Sequence, residues 1–142
     1  MANIHATCVE LNGKGILLTG PSGVGKSDTA LRLIEALNAV LVADDQTELK
    51  EHGGYIIASC PSNIQGLLEV RGIGIVRQPS KKETQVNLIV ELVKNEKEVD
   101  RLPEPQYWEK DGVKIKKIKL YPFTPSAIYK IKLACDEKEF VG

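Results

Sequence analysis

The chain has 142 residues, a length that suits one domain built around one core. Lys plus Arg and Asp plus Glu both number 19, so it lacks the surplus positive charge with which a non-specific nucleic-acid binder displaces counterions. No apolar run approaches the roughly 20 residues that span a bilayer, and the N-terminus has neither the basic start nor the apolar core of a secretory signal.

The three cysteines, Cys8, Cys60 and Cys135, are too widely spaced for a zinc site and odd in number for a disulfide framework. The expectation is a cytoplasmic protein with reduced thiols, free of membrane and nucleic acid.

In chain order, Thr7 to Leu11 reads as a strand, Asn12-Gly13 as a hairpin turn and Ile16 to Thr19 as a short apolar strand. Ala30, Leu31, Leu33, Ile34 and Leu37 recur at helical spacing, which predicts an amphipathic helix from Lys26 to about Leu37. Val40 to Ala43 is a buried strand that runs into Asp44-Asp45. His52-Gly53-Gly54 is a second hairpin turn before a strand from Tyr55 to Ala58. Pro61 and Ser62 open a short helix through Leu68, Arg71 to Gly74 is loop, and Gln78 to Glu83 is a polar, mobile stretch. Val86 to Val93 is a core strand. Arg101 to Pro105 is a connector, Tyr107 to Leu120 a hairpin around Asp111-Gly112, and Ser126 caps a last helix.

Between the strand and the helix lies GPSGVGKS, Gly20 to Ser27, which fits G-x-x-x-x-G-K-[ST]. Gly20, Gly23 and Gly25 let backbone N–H groups converge on one anion, and the helix N-terminus adds its positive end. Lys26 supplies a point charge for the outer phosphates, and Ser27 an oxygen for Mg²⁺. Pro21, Ser22 and Val24 complete the loop. The ligand this pattern calls for is a nucleoside triphosphate with magnesium; the pattern serves kinases, ATPases and GTPases alike.

Two further segments gather chemistry. Asp44 and Asp45 end an apolar strand, where ligands collect in α/β sheets. Neighbouring strand residues point opposite ways, so one aspartate suits the metal and the other a substrate hydroxyl, with the assignment open. In LLEVRGIGIV, Leu67 to Val76, Glu69 is a candidate metal ligand and Arg71 a guanidinium able to steady phosphoryl oxygens; the alternative is a surface ion pair near a turn.

Taken together, His5, LLTGPSGVGKSDTALRLI, LVADD, LLEVRGIGIV, RLPEP and YPFTPSAIYKIKLA resemble the catalytic domain of the HPr kinase/phosphorylase family. They are most similar to the short form found in alphaproteobacteria, which lacks the family's separate N-terminal domain. The resemblance implies an α/β P-loop kinase domain of the HPr kinase and PEP carboxykinase-like type, with a mixed sheet and residues 1–142 as a single domain. It implies an ATP- and Mg²⁺-dependent protein-serine kinase acting on the phosphocarrier HPr and so regulating carbohydrate uptake, with reverse phosphorylase activity in the family.

Carried over by position, Gly20 to Ser27 bind ATP, Lys26 is catalytic, and Ser27 and Glu69 hold the metal. The base lies within Asp44-Asp45, His5 stands in the active site, and Arg71 belongs to the stretch tied to both reactions. Where longer enzymes carry PVxxGRN, this chain has PFTPSAIYK without an arginine, which weights the expectation toward forward transfer. The long C-terminal tail associated with assembly has no counterpart after Phe140, so a homo-oligomer is left open.

Two other functions share the loop. A small-molecule kinase or simple NTPase needs a lid rich in arginine, and the chain has four, Arg32, Arg71, Arg77 and Arg101. A non-catalytic nucleotide sensor needs no aspartate pair and no Glu69.

Overall fold

The computed structural model describes residues 2–136. In chain order the strands are β1 (Ala2–Ile4), β2 (Thr7–Leu11), β3 (Lys14–Thr19), β4 (Val40–Ala43), β5 (Thr47–His52), β6 (Tyr55–Ser59), β7 (Leu67–Val70), β8 (Gly74–Arg77), β9 (Glu83–Leu92), β10 (Gln106–Lys110) and β11 (Val113–Leu120). Two α-helices, α1 (Lys26–Leu37) and α2 (Ala127–Cys135), complete the set.

The strand that organises the molecule is β9. Its first residues pair antiparallel with β6, extending a β1-β5-β6 sheet. Its remainder lies parallel to β3 and to β11. Because β2 is antiparallel to both β3 and β4, the strands β4, β3, β9 and β11 all end on one side of the sheet. That shared edge is where the phosphate loop and the aspartate pair emerge.

Side-chain alternation along these strands builds two cores. Ile16, Leu18, Leu88 and Val90 face α1 and α2, where Leu33, Ile128 and Ile131 meet them. Leu17, Ile89, Cys8 and Val42 point the other way and pack on Leu49, Ile56 and Ala58 of the second sheet. Helices, central sheet and second sheet therefore form three layers. The burial of Ile16, Leu17 and Leu18 on both faces explains why β3 is a continuous apolar run.

The approach of β3 to β9 is close at the register shift between Gly15 and Ile16. A Cβ at Gly15 would lie 2.3 Å from the Gln85 carbonyl oxygen, so no side chain fits without separating the strands. Gly15→Ala is expected to cost about 1–3 kcal/mol, the usual range for overpacking. A denaturant midpoint equal to that of the unsubstituted chain would refute this.

Most predicted elements stand where the sequence puts them; three do not. The helix expected from Pro61 to Leu68 is a single 3₁₀ turn, Ser62–Ile64, and Leu67 already belongs to β7. Gly66, at φ +77°, reverses the chain there, and Leu67–Val70 then pairs with Gly74–Arg77. The loop expected at Arg71 to Gly74 is the tip of this hairpin, closed by the Ile73 N–H donating to Val70 O at 3.0 Å.

The polar stretch after β8 is pinned. The Gln78 N–H donates to Gly66 O at 2.7 Å, the Lys81 N–H to Leu41 O at 2.9 Å, and Lys81 Nζ pairs with Glu10 at 3.0 Å. Ser126 occupies the N-cap position of α2 but has helical dihedrals, and its hydroxyl meets Thr124 Oγ1 instead of capping. No sequence pattern marks β1, a short edge strand whose three residues take their order from pairing with β5.

Candidate active site

The phosphate loop joins β3 to α1, and its form follows from two glycines. Gly20, at φ +138°, passes so close to β9 that a Cβ would lie 2.7 Å from Leu92 O. Gly25, at φ +109°, is the residue from which α1 starts, and a conformation of that kind strains any L side chain. The helix N-terminus is thereby aimed into the turn with its first N–H groups free for an anion.

Lys26 is only 7% exposed. Its Nζ donates to Gly20 O at 2.7 Å and to Pro21 O at 3.1 Å, so the ammonium lies within its own loop. Burial lowers its pKa below the ordinary lysine value, while the carboxylates of Asp45 and Asp44 work in the opposite direction.

The aspartates at the end of β4 have separate environments. Asp44 is 8% exposed and its Oδ1 accepts from Ser27 Oγ at 2.6 Å and from Thr7 Oγ1 at 3.0 Å. Its Oδ2 accepts the backbone N–H of Glu69 at 3.1 Å. Asp45 turns outward in the left-handed region, φ +70°, with a side chain 61% exposed. Its Oδ1 is paired with His5 Nε2, and its N–H donates to Thr7 Oγ1 at 3.2 Å. Thr7 thus holds both aspartates through one hydroxyl. Nothing in the sequence marks it, since threonine is an ordinary β-branched strand residue and its full burial emerges only in the fold.

A cavity of 520 Å³ collects the predicted residues: His5, Lys26, Ser27, Asp45, Glu69 and Arg71 all line it. Asp44 reaches the group through Ser27. The β7–β8 hairpin brings Glu69, Val70 and Arg71 to the cavity from the side, with Leu68 buried behind. Of the arginines, Arg32 instead pairs with Asp28 on α1, and Arg77 and Arg101 lie away from the cavity.

The oxygen chemistry suits a hard divalent cation. Ser27 Oγ, the Asp44 carboxylate and the Glu69 carboxylate are all oxygen donors beside a phosphate loop. Among the described residues no group of three or more His, Cys, Asp or Glu is spaced to hold a metal alone. Magnesium asks for less, since it binds through one or two carboxylates together with substrate phosphates.

The thiols take no part. Cys8, Cys60 and Cys135 form no disulfide among the described residues, and burial raises the thiol pKa of Cys8 and of Cys60.

A glycine-rich turn leading from a parallel strand into a helix, with two aspartates ending a strand two places along the sheet, makes this a P-loop protein of the kinase fold. The chain belongs to the family of the HPr Serine kinase C-terminal domain, whose model matches residues 1–129.

The chain is 38% identical over 125 residues to the HPr kinase/phosphorylase of Clostridium botulinum (strain Eklund 17B / Type B), covering 81% of this chain and 41% of that protein. It is 39% identical over 133 residues to the HPr kinase/phosphorylase of Malacoplasma penetrans (strain HF-2), covering 86% and 44%. It thus spans about two fifths of the length of these curated relatives. Among solved structures, the HPr(Ser) kinase/phosphatase from Coxiella burnetii matches with a TM-score of 0.83 at 30% identity, covering 96% of this chain and 95% of that one.

Proposed function

We propose that this chain is a single catalytic domain that transfers the terminal phosphoryl group of ATP to a serine of the phosphocarrier HPr, in the control of carbohydrate uptake. The observation that carries the reading is the division of labour at Asp44 and Asp45. One carboxylate is locked onto Ser27, and its neighbour faces the cavity beside His5.

In this reading Asp45 is the base. His5 occupies one of its oxygens and fixes the side chain, leaving the other to take the proton of the serine hydroxyl during in-line attack. Asp44, Ser27 and Glu69 would hold Mg²⁺, which supplies charge neutralisation at the phosphate oxygens. Backbone N–H groups of the glycine-rich loop and of the first turn of α1 cradle the phosphates. Lys26 turns from the carbonyls of Gly20 and Pro21 to a phosphate oxygen, and Arg71 approaches from the hairpin to balance the charge of the moving group.

Labelled ATP supplied with HPr, and then without it, tests the proposal. Label on a serine of HPr is the expected result. Equal phosphate release with and without HPr would point to a plain NTPase. Nucleotide binding without turnover in either arm would point to a sensor.

Forward transfer is expected to exceed phosphorolysis. Among the described residues Arg71 is the one arginine lining the cavity, and the segment after β11, Tyr121 to Lys130, contains none. Phosphorolysis brings free phosphate beside a phosphoserine, which gathers more negative charge and needs a second guanidinium fork more than the forward step does. The measurement is pyrophosphate release from serine-phosphorylated HPr in millimolar phosphate, compared with the forward rate. Equal turnover in both directions would contradict the expectation.

A further inference from the structure

Phe123 follows β11 and stands over the phosphate loop. A Cβ on Gly25 would lie 3.0 Å from its Cζ and 3.4 Å from its Cε1. The ring is braced by Tyr121, edge to face at 5.7 Å between centroids and 80° between planes. It is nevertheless 55% exposed, and it lines the same cavity as Lys26 and Ser27. A large apolar side chain held in place and left in water beside a ligand site marks a binding surface.

The sheet gives the direction in which a ligand must run. Across it the order is β4, β2, β3, β9, β11. Asp45 follows β4 and pairs with His5, which precedes β2; both belong to one flank of the loop that follows β3. Phe123 follows β11 and belongs to the other flank. A triphosphate in the loop has two ends. If the terminal phosphoryl group faces the acceptor at Asp45, the nucleoside must leave toward β11.

We infer that Phe123 is the stacking platform for the nucleobase of the bound nucleoside triphosphate. The inference rests on the loop's holding such a ligand, and not on which protein accepts the phosphoryl group. Gly25 belongs to the same arrangement, since a side chain there would displace the ring. A stacking platform reads a π face and no base edge, so the subsite does not by itself select one nucleobase over another. The rival position, a cavity of 410 Å³ lined by Thr19, Gly20, Pro21, Glu91, Lys94 and Glu98, offers no aromatic face.

The test is calorimetric titration of the full chain with Mg-ATP and, separately, with magnesium tripolyphosphate. The unsubstituted protein, Phe123→Ala and Phe123→Tyr are compared. Phe123→Ala is expected to weaken Mg-ATP roughly 5- to 100-fold, the range that loss of one base–aromatic stack gives, and to leave tripolyphosphate affinity unchanged. Phe123→Tyr, which keeps the ring, should bind both ligands like the unsubstituted chain.

Equal weakening of both ligands would overturn the inference, because the ring would then act by packing on Gly25. Unchanged Mg-ATP affinity in Phe123→Ala would overturn it as well, by putting the base elsewhere. No acceptor protein is present in these titrations, so their failure is separable from a failure of the kinase reading.

Discussion

Asp45→Asn is expected to lower the rate of phosphoryl transfer to HPr by about 10²–10⁴-fold, the range for loss of a positioned general base. The amide is nearly the same size and can still accept from His5, so the cavity keeps its shape while the proton acceptor is gone. Mg-ATP affinity should stay within about twofold of the original, because only an interaction of the reacting complex has been removed.

Asp44→Asn is expected to fail differently. Asp44 accepts three hydrogen bonds, and an amide nitrogen would turn a donor toward Ser27 and Thr7 or toward the Glu69 N–H. Its main loss should be in Mg-ATP binding. Titration of Mg-ATP into both variants, beside their transfer rates, tells the two roles apart. Wild-type transfer in Asp45→Asn would remove it from the mechanism, and matching phenotypes would dissolve the division between the two aspartates.

Lys26→Ala should cost about 10²–10³-fold in kcat, as removal of one preorganised electrostatic contact typically does. The ammonium is buried beside two aspartates, where water screens its charge poorly. In the bound complex the ammonium would meet a phosphate oxygen, so part of the loss should appear as weaker Mg-ATP binding. Lys26→Arg is not expected to rescue, because a planar fork cannot fill the position of a compact point charge. Single-turnover transfer with enzyme in excess separates the two contributions. Near-normal turnover in Lys26→Ala would mean that the loop is not the catalytic centre.

What was legible in the sequence was local. The phosphate loop is a pattern of eight consecutive residues flanked by a strand and a helix, and α1 runs over the predicted span. The aspartate pair was visible as a pair. Its partition was not, because that depends on Thr7, Ser27 and the Glu69 N–H arriving from elsewhere in the chain.

The β7–β8 hairpin was misread for a physical reason. Four apolar or charged residues after a Pro-Ser helix signal fit a helix turn as well as a strand, and only pairing with Gly74–Arg77 decides between them. Phe123 carries no sequence signal because an aromatic set between two prolines has no periodicity, and its proximity to Gly25 is created by the sheet order.

The three hydrogen bonds at Asp44 also bear on how the molecule assembles. Their donors lie 37, 17 and 25 residues away along the chain, on β2, α1 and β7. A buried carboxylate is expensive until its partners arrive, so intermediates in which only some of these segments have docked carry an unsatisfied charge. Each closure is nonlocal and costs chain entropy before the contact repays it. Such a junction favours a folding transition in which helix, hairpin and central sheet consolidate together, and it penalises populations in which the catalytic edge is half built.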